Sequence, residues 1–600
     1  MSRIRREDSY LVHLFLLVAT YLVMQLATVG VPEIGGSSEA REAQVIDVMR
    51  RTGELVLPLR NGIVPSKPPL FHWVGYGLSL REPFVSEFSA RLPSVFFACG
   101  LLVCVGLFCR RVAFLIERED RSFNLSAATI IAPVILALTY GFHIMATQAM
   151  VDMTFAFFVW AALCSLAHSD PVRWSVDRHL SQRAALLFWL SVAGAVLSRG
   201  PVGGALPVLL ACTAGAYMWG WRCALCTLAR PVLGWGVLLG PVAWYWAAYD
   251  RGGDAFLARQ LLFENMQRVV GGEHINNESW WFYLPSLVRT TFPWGISLVL
   301  LGAVRFRQAG VMRRIRDDCS ARAFSAPVIV MAVGVALLSL ASGKRHSYML
   351  PLYPCVAVQL AFIISQHFYK GQFSYRQRLA RVVRTLEVSL GVVGIAFFCL
   401  CGAFMQGAFR IGNNDELIRE SLRLGMSEGA VVLFCALLPC FMRAERSVQE
   451  GLRNISVAMI GMLCVCTCLG STVKAHLRGF PVMTAEWLDY ARGSENLVVI
   501  KDRFDEYFDP ILFYVRRNVE VLDSEARSIG CDPRKVYLTR RSWIETDRHR
   551  FQGSLIDLRT LRAELASRKG DGTRDLVAFR CLPDGSSSGD LHHGGELRDA

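Results

Sequence analysis

Charge is scarce along these 600 residues: Asp, Glu, Lys and Arg supply 19%, against 53% hydrophobic residues. With a mean hydropathy of +0.34, that deficit excludes an ordinary soluble chain. A matching set of two cysteine pairs at metal-ligand spacing is also lacking. Most of the 18 Cys fall inside apolar runs, where Cys behaves as a small hydrophobe. "CVCTC" at 464–468 puts its thiols on different helix faces, and "CALC" at 223–226 has no second pair, so neither reads as a zinc site. Only Cys531 and Cys581 lie in the polar C-terminal tail, where a disulfide and two free thiols fit equally well. No repeat of fixed period occurs, which argues against a solenoid. The start, "MSRIRREDSYLVHLFLLVATYLVMQLATVG", lacks a clear small-residue cleavage site. Its apolar run is too long for a usual signal sequence, so it reads as a retained anchor.

What is present is a series of apolar runs with basic punctuation. Runs compatible with a hydrocarbon core of ~30 Å begin near residues 11, 91, 127, 150, 184, 201, 231, 284, 326, 347, 386, 428 and 455. The expected architecture is a polytopic α-helical membrane protein of about thirteen spans, occupying residues 1–473. The net charge of +14 sits in alternate connections such as "RRVAFLIEREDR", "RFRQAGVMRRIRDD" and "YKGQFSYRQRLARVVR". Basic charge therefore sets topology and not nucleic-acid binding. With the N-terminus inside, two long connections face out, 31–90 and 250–283. Residues 474–600 are polar and also fall outside. There "NLVVI", "NVEVL", "KVYLT" and "DLVAF" read as strands and "DPILFYVRR" as a helix, giving a small α/β domain with a disordered tail from about 583.

The first outer connection is dense with signals. In "GGSSEAREAQVIDVMRR", Ser38 suits an N-cap, and Glu39 and Glu42 suit a first helical turn. Val45, Val48 and Met49 form an apolar face expected to lie on the membrane surface. "RNG" signals a hairpin turn, and the prolines of "SKPPLFHW" hold Lys67 at the mouth of another helix. The other outer connections add Asp152 in "QAMVDMTFAFF", Arg199 in "SRGP", and Glu264, Asn265, Arg268 and His274 in "FENMQRVVGGEHINNESWWFYLP". "SGKRHSYMLPLYP" adds Lys344, His346 and Tyr348.

Singly, each has a plain structural explanation: Asp152 as a helix cap, Arg199 and Lys344 as snorkelling cations, His274 as a loop residue, Trp280 and Trp281 as interface anchors. Together they place acids, several cations and a His on one membrane face, where ionisable groups are expensive and mark sites. Arg and Lys at headgroup depth suit a lipid-borne phosphate, and a carboxylate suits deprotonation of a hydroxyl or metal coordination. The chemistry this suggests is displacement of a lipid phosphate from a sugar carbon by an acceptor hydroxyl, with the cations stabilising the departing phosphate.

These motifs, "EAREAQVIDVMRRTGELVLPLRNGIVPSKPPLFHW", "FSARLPSVFFA", "VDMTFAFF", "SRGP", "FENMQR…WWFYLP" and "SGKRHSYMLPLYP", occur in a definite order over roughly residues 10–365. In that order the chain resembles bacterial GT-C glycosyltransferases of the protein O-mannosyltransferase-like superfamily, particularly the branch containing the lipid A aminoarabinose transferases. The resemblance implies a sugar donor on polyprenyl phosphate, such as undecaprenyl phosphate. It implies inverting transfer to lipid A, another glycan or a protein, on the periplasmic face of a bacterial inner membrane. It gives Glu39 the catalytic acid's place, with Asp152 as a second acid. Lys67 takes the donor phosphate, and Arg41, Arg199, Arg268, Lys344 and Tyr348 line the donor headgroup or hold the site together.

Two departures bear on a metal. Ser38 and Ser66 stand where many family members carry acids, and the second of those acids is associated with metal binding in some relatives. No cofactor is firmly implied; a divalent metal is doubtful, with Glu39, Glu264 and His274 as its candidate ligands. A non-catalytic relative and a lipid or sugar transporter are the alternatives. A transporter predicts charges near the bilayer midplane and two related halves, and neither is evident.

Overall fold

A computed structural model describes residues 2–30, 32–119, 125–168, 181–221, 231–271, 278–292, 294–295, 319–369, 479–494, 496–502, 506–561 and 576–582. The chain divides into two units. The first comprises Met1–Ile34, Glu42–Phe409 and Arg419–Thr472, and the second Gly35–Arg41, Arg410–Ile418 and Val473–Ala600.

The first unit is helical. Its long apolar elements are α1 (Ser2–Thr28), α4 (Glu87–Glu119), α7 (Val151–His168), α8 (Gln182–Arg199), α9 (Pro201–Trp219), α10 (Pro231–Phe256), α12 (Cys319–Leu340) and α13 (Tyr353–Tyr369). Shorter helices are α2 (Ser37–Thr52, whose residues up to Arg41 are counted in the second unit), α3 (Leu70–Ser79), α5 (Ala128–Ala137), α6 (Tyr140–Ala146) and α11 (Tyr283–Thr290). By length and composition six segments suffice to cross a bilayer: Tyr10–Thr28, Glu87–Glu117, Val151–His168, Pro201–Met218, Arg322–Leu340 and His346–Gln366. The α5–α6 pair, bent by 70°, makes a seventh if counted as one span. These seven fall on the runs near 11, 91, 150, 201, 326, 347 and 127. The runs near 184 and 231 form α8 and α10, and α11 opens the one near 284. Those near 386, 428 and 455 lie outside the described residues.

The α5–α6 bend has a local cause. Thr139 is extended (φ −78°, ψ 124°), its hydroxyl donates to Ile135 O at 2.8 Å, and the Tyr140 N–H finds Phe292 O at 3.2 Å. A backbone donor released at the break is thus satisfied, as a low-dielectric setting requires. α7 packs between α4 and α8, with Phe97 against Phe157 and Phe108 edge-on to Trp160. The Trp160 indole donates to Pro351 O at 2.8 Å, tying α7 to the 3-10 turn His346–Leu352.

The connection over residues 31–90 differs from its sequence reading in three respects. Val45, Val48 and Met49 are buried in protein, and Ile46 packs where Gly75 of α3 leaves room. This face is therefore buried in the protein and not laid on a membrane surface. Ser38 lies inside α2, not ahead of it as a cap. At "RNG", Asn61 (φ 48°) and Gly62 (φ 79°) make a tight turn closed by one Arg60–Ile63 bridge. The turn forms, but no strands extend from it. Arg91, in "FSARLP", donates to the carbonyls of Val29 at 2.9 Å and Glu33 at 3.1 Å, and to Pro32. It satisfies backbone acceptors at the end of α1.

The second unit is an α/β domain. Its strands are β1 (Asn496–Lys501), β2 (Glu520–Asp523), β3 (Ile529–Gly530), β4 (Lys535–Arg540), β5 (Phe551–Gln552), β6 (Ser554–Leu561) and β7 (Leu576–Leu582), and its helices α14 (Phe480–Tyr490), α15 (Asp509–Val515) and α16 (Arg541–Thr546). The main sheet runs β2-β1-β4-β7-β6. β1 is parallel to β2 and β4, and β7 is antiparallel to β4 and β6. All four strand segments read from the sequence are present, and β6 and the two-residue strands β3 and β5 are additions. Cys531 and Cys581 form a disulfide with Cα atoms 5.9 Å apart.

Candidate functional site

The ends of α7 and α8 bring the first charges together. Asp152 lies in the first turn of α7 and Arg199 in the last turn of α8, the helix ends at which each sign is favoured. Arg199 Nη2 pairs with Asp152 Oδ1, and both side chains are largely buried. Gly200 ends α8 at φ 84° and Pro201 opens α9, the arrangement that sharply stops one helix and starts another. A Cβ at Gly200 would stand 2.9 Å from Asn265 Oδ1, so the turn needs glycine for its backbone and its space. The Arg199 guanidinium lies 4.3 Å over the Tyr348 ring, a cation–π contact that orients it.

The second group is built on a π-helical stretch, Leu257–Gln267, a form common at functional sites. Glu264 is buried there and receives Lys67 Nζ at 2.6 Å on Oε2. Arg268 Nε lies 2.8 Å from the same oxygen, and Arg259 Nη2 is 3.6 Å from Oε1. Arg268 Nη1 donates to the Tyr348 hydroxyl at 2.8 Å. Tyr348 thus joins the two groups, with its ring under Arg199 and its oxygen on Arg268. Burial alone raises the Glu264 carboxyl pKa. The charges of Lys67 and Arg268, with the Lys67 hydrogen bond, outweigh this and bring it from 4.5 to about 2.

Counting this network, Lys67, Arg199, Arg259 and Arg268 are four cations against the two carboxylates Asp152 and Glu264. The excess of two positive charges suits a phosphate anion. The same arrangement does not suit a divalent metal at Glu264, whose oxygens already face three cations. That candidacy is corrected accordingly. No group of three or more His, Cys, Asp or Glu that could hold a metal occurs among the described residues, and His274 lies outside them.

The remaining candidates are placed as follows. Lys344 is buried and donates to Glu278 O at 3.0 Å, beside Gly343, whose N–H donates to Arg268 O at 3.0 Å. His346 is sandwiched by Ser286 on Nδ1 at 2.7 Å and Arg289 on Nε2 at 2.6 Å. Since Arg only donates, Nε2 is the acceptor and the ring proton sits on Nδ1, which marks His346 as structural. Trp280 and Trp281 stand exposed, as interface anchors do. Glu39 and Arg41 belong to the second unit. Glu39 is buried there, and Arg41 donates to Ser38 Oγ at 3.1 Å and lies 3.9 Å from Asp509 Oδ2. Arg259 has no counterpart in the sequence reading. Five residues from Glu264, it points away on an α-helix, and only the i to i+5 geometry of a π-helix aligns the two.

No protein-family model matches the chain. Its fold matches the crystal structure of ArnT from Cupriavidus metallidurans bound to undecaprenyl phosphate, with a TM-score of 0.66 and 18% identity over 94% of this chain and 97% of that one. Fold and spans together define a multi-pass membrane protein of the GT-C type. Within that class its sequence is similar to the undecaprenyl phosphate-alpha-4-amino-4-deoxy-L-arabinose arabinosyl transferase of Pseudomonas aeruginosa (strain LESB58), 28% identical over 349 residues. It is also 26% identical over 398 residues to the transferase of that name from Pseudomonas savastanoi pv. phaseolicola, covering 63% of this chain and 66% of the relative. The match to the first spans 56% of each chain, little more than half the relative's length. The resemblance carried by the ordered motifs is thus met in both sequence and fold.

Proposed function

We propose that the chain is an integral membrane glycosyltransferase that takes a sugar from an undecaprenyl-phosphate-type carrier and passes it to lipid A with inversion. The observation that carries this is the excess of cationic over acidic charge gathered by Lys67, Arg199, Arg259 and Arg268 around Tyr348 and Glu264. The names of the sequence relatives supply the carrier and the sugar class, a 4-amino-4-deoxy-L-arabinose. By analogy with them the transfer is of a pentosyl group.

In this reading Lys67 and Arg268 receive the donor phosphate, and Arg199 adds a third positive charge from across Tyr348. The bond from the anomeric carbon to the phosphate oxygen breaks, its electrons pass to that oxygen, and the cations stabilise the growing charge. The acceptor oxygen attacks from the opposite side of the carbon, which inverts it, and loses its proton to a carboxylate. Glu39 is assigned that proton on its place in the motif. Asp152, paired with Arg199, positions that cation instead, and Glu264 does the same for Lys67 and Arg268. Lys344, whose backbone neighbour bonds Arg268, holds the rim of the site.

Residues 1–473 then form the membrane part, and 474–600 a domain on the periplasmic side of the inner membrane. The Cys531–Cys581 disulfide supports that side, because such bonds persist in oxidising compartments. Binding of undecaprenyl phosphate to the detergent-purified full chain tests the donor half of the proposal. Loss of a charge-assisted contact in Lys67→Met should weaken binding about tenfold or more. Unchanged affinity in both Lys67→Met and Arg268→Gln would rule out this phosphate site.

A further inference from the structure

The α/β unit holds a second candidate site, unrelated to the donor phosphate. β1 leads to α15 on the face where Leu497 and Val499 pack against Ile511, Leu512 and Val515. β4 leads directly to α16, whose Trp543 packs on the other face with Val498, Ile500 and Tyr537. β1 and β4 are adjacent and parallel, and their chains depart to opposite faces. In open α/β sheets that reversal leaves a crevice at the carboxyl ends of the two strands, where ligands bind.

A cavity of about 170 Å³ lies at this point, lined by Lys501 and Asp502 at the end of β1, Thr539 and Arg540 at the end of β4, Ser524 after β2, and Trp543. Its walls are braced. The Thr539 hydroxyl donates to Ile500 O at 2.9 Å, and the Trp543 indole donates to Ser524 O at 3.2 Å. Arg540 lies 5.2 Å over the Tyr507 ring, and Lys501 is buried with Asp509 Oδ1 at 3.9 Å. The volume is below the range of roughly 300–1,000 Å³ usual for drug-sized ligands, so it suits one small headgroup. The lining carries two cations, Lys501 and Arg540, beside two carboxylates, Asp502 and Asp547, and the cations suit a phosphate. A carboxylate and hydroxyl groups beside an indole suit the hydroxyls of a sugar ring.

We propose that this crevice binds a phosphorylated monosaccharide, with its phosphate toward Lys501 and Arg540 and its ring hydroxyls toward Asp502. The inference stands apart from the donor-site reading, and its test separates the two. The full chain in detergent is titrated by calorimetry with glucosamine 1-phosphate, with glucosamine, and with inorganic phosphate. Glucosamine 1-phosphate should bind more tightly than either part alone. Arg540→Ala should weaken it about tenfold or more, and Arg540→Lys should fall between. Asp502→Asn should weaken the sugar phosphate while leaving inorganic phosphate as it was. Equal binding of inorganic phosphate and sugar phosphate would reduce the crevice to a bare anion site and overturn the proposal. So would no binding of any probe, or binding that Lys67→Met abolishes and Arg540→Ala spares.

Discussion

Glu264→Gln separates the electrostatics of the proposed donor site from its shape. Gln keeps the size of the side chain but removes the charge that Lys67, Arg268 and Arg259 share. The Glu264 carboxyl stands at about 2 against an ordinary 4.5. At 1.36 kcal/mol per unit, that depression corresponds to about 3 kcal/mol of native-state stabilisation. The cost of removing one partner from a buried ion pair, about 3–5 kcal/mol, is of the same order. The sign follows from the direction of the shift. A depressed carboxyl stabilises fully above its unfolded value of 4.5 and loses that contribution as pH falls toward 2. Equilibrium unfolding of wild type and Glu264→Gln in mixed detergent micelles should show a gap of about 3 kcal/mol at neutral pH. The gap should close as the pH falls below 4.5. A variant as stable as wild type at neutral pH, or a gap that widens on acidification, would refute the buried, cation-held carboxylate.

Tyr348→Phe removes the oxygen that accepts from Arg268 but keeps the ring beneath Arg199. Sugar transfer should fall roughly tenfold or more with the fold intact; a wild-type rate would free Arg268 of that contact. Gly200→Ala forces a Cβ into a positive-φ turn against Asn265. It should cost about 1–3 kcal/mol and slow transfer as well, because Arg199 is the preceding residue; thermal melts and activity measured together check both. Cys531→Ser opens a bridge spanning 50 residues, which the chain-entropy relation values at about 4 kcal/mol. The second unit should then be cut faster by protease, and in the wild type both thiols should resist maleimide until reduced.

Much of the fold was legible because bilayer spans are written in hydropathy, which needs no knowledge of partners. The spans at 10–28, 87–117 and 151–168 follow directly from their apolar runs. What stayed hidden depended on local breaks of pattern. β6 was missed because Asp557 takes φ 52° and the pairing shifts between Ile556 and Arg559, so "SLIDLRTL" shows no clean alternation. The bend at Thr139 was invisible because the segment is apolar on both sides of it. In the site, the residue types could be read from sequence. Which acid pairs with which cation could not. Lys67 and Glu264 meet across 197 residues of chain, and Arg259 reaches Glu264 only through a π-helical register. The apolar stripe of α2 was misjudged for a similar reason, since a stripe suits a membrane surface and a neighbouring helix equally well.

Holding the phosphate of a lipid-linked sugar while the sugar leaves is the role proposed for this cation-rich network. It is tested most directly in proteoliposomes carrying the purified chain, undecaprenyl-phosphate-linked aminoarabinose and lipid A, by following the mass of lipid A. The wild type should add one aminoarabinose per transfer, and transfer should fall about a hundredfold or more when both Lys67→Met and Arg268→Gln are introduced. Undiminished transfer by that double variant, or unmodified lipid A with the intact protein, would contradict it.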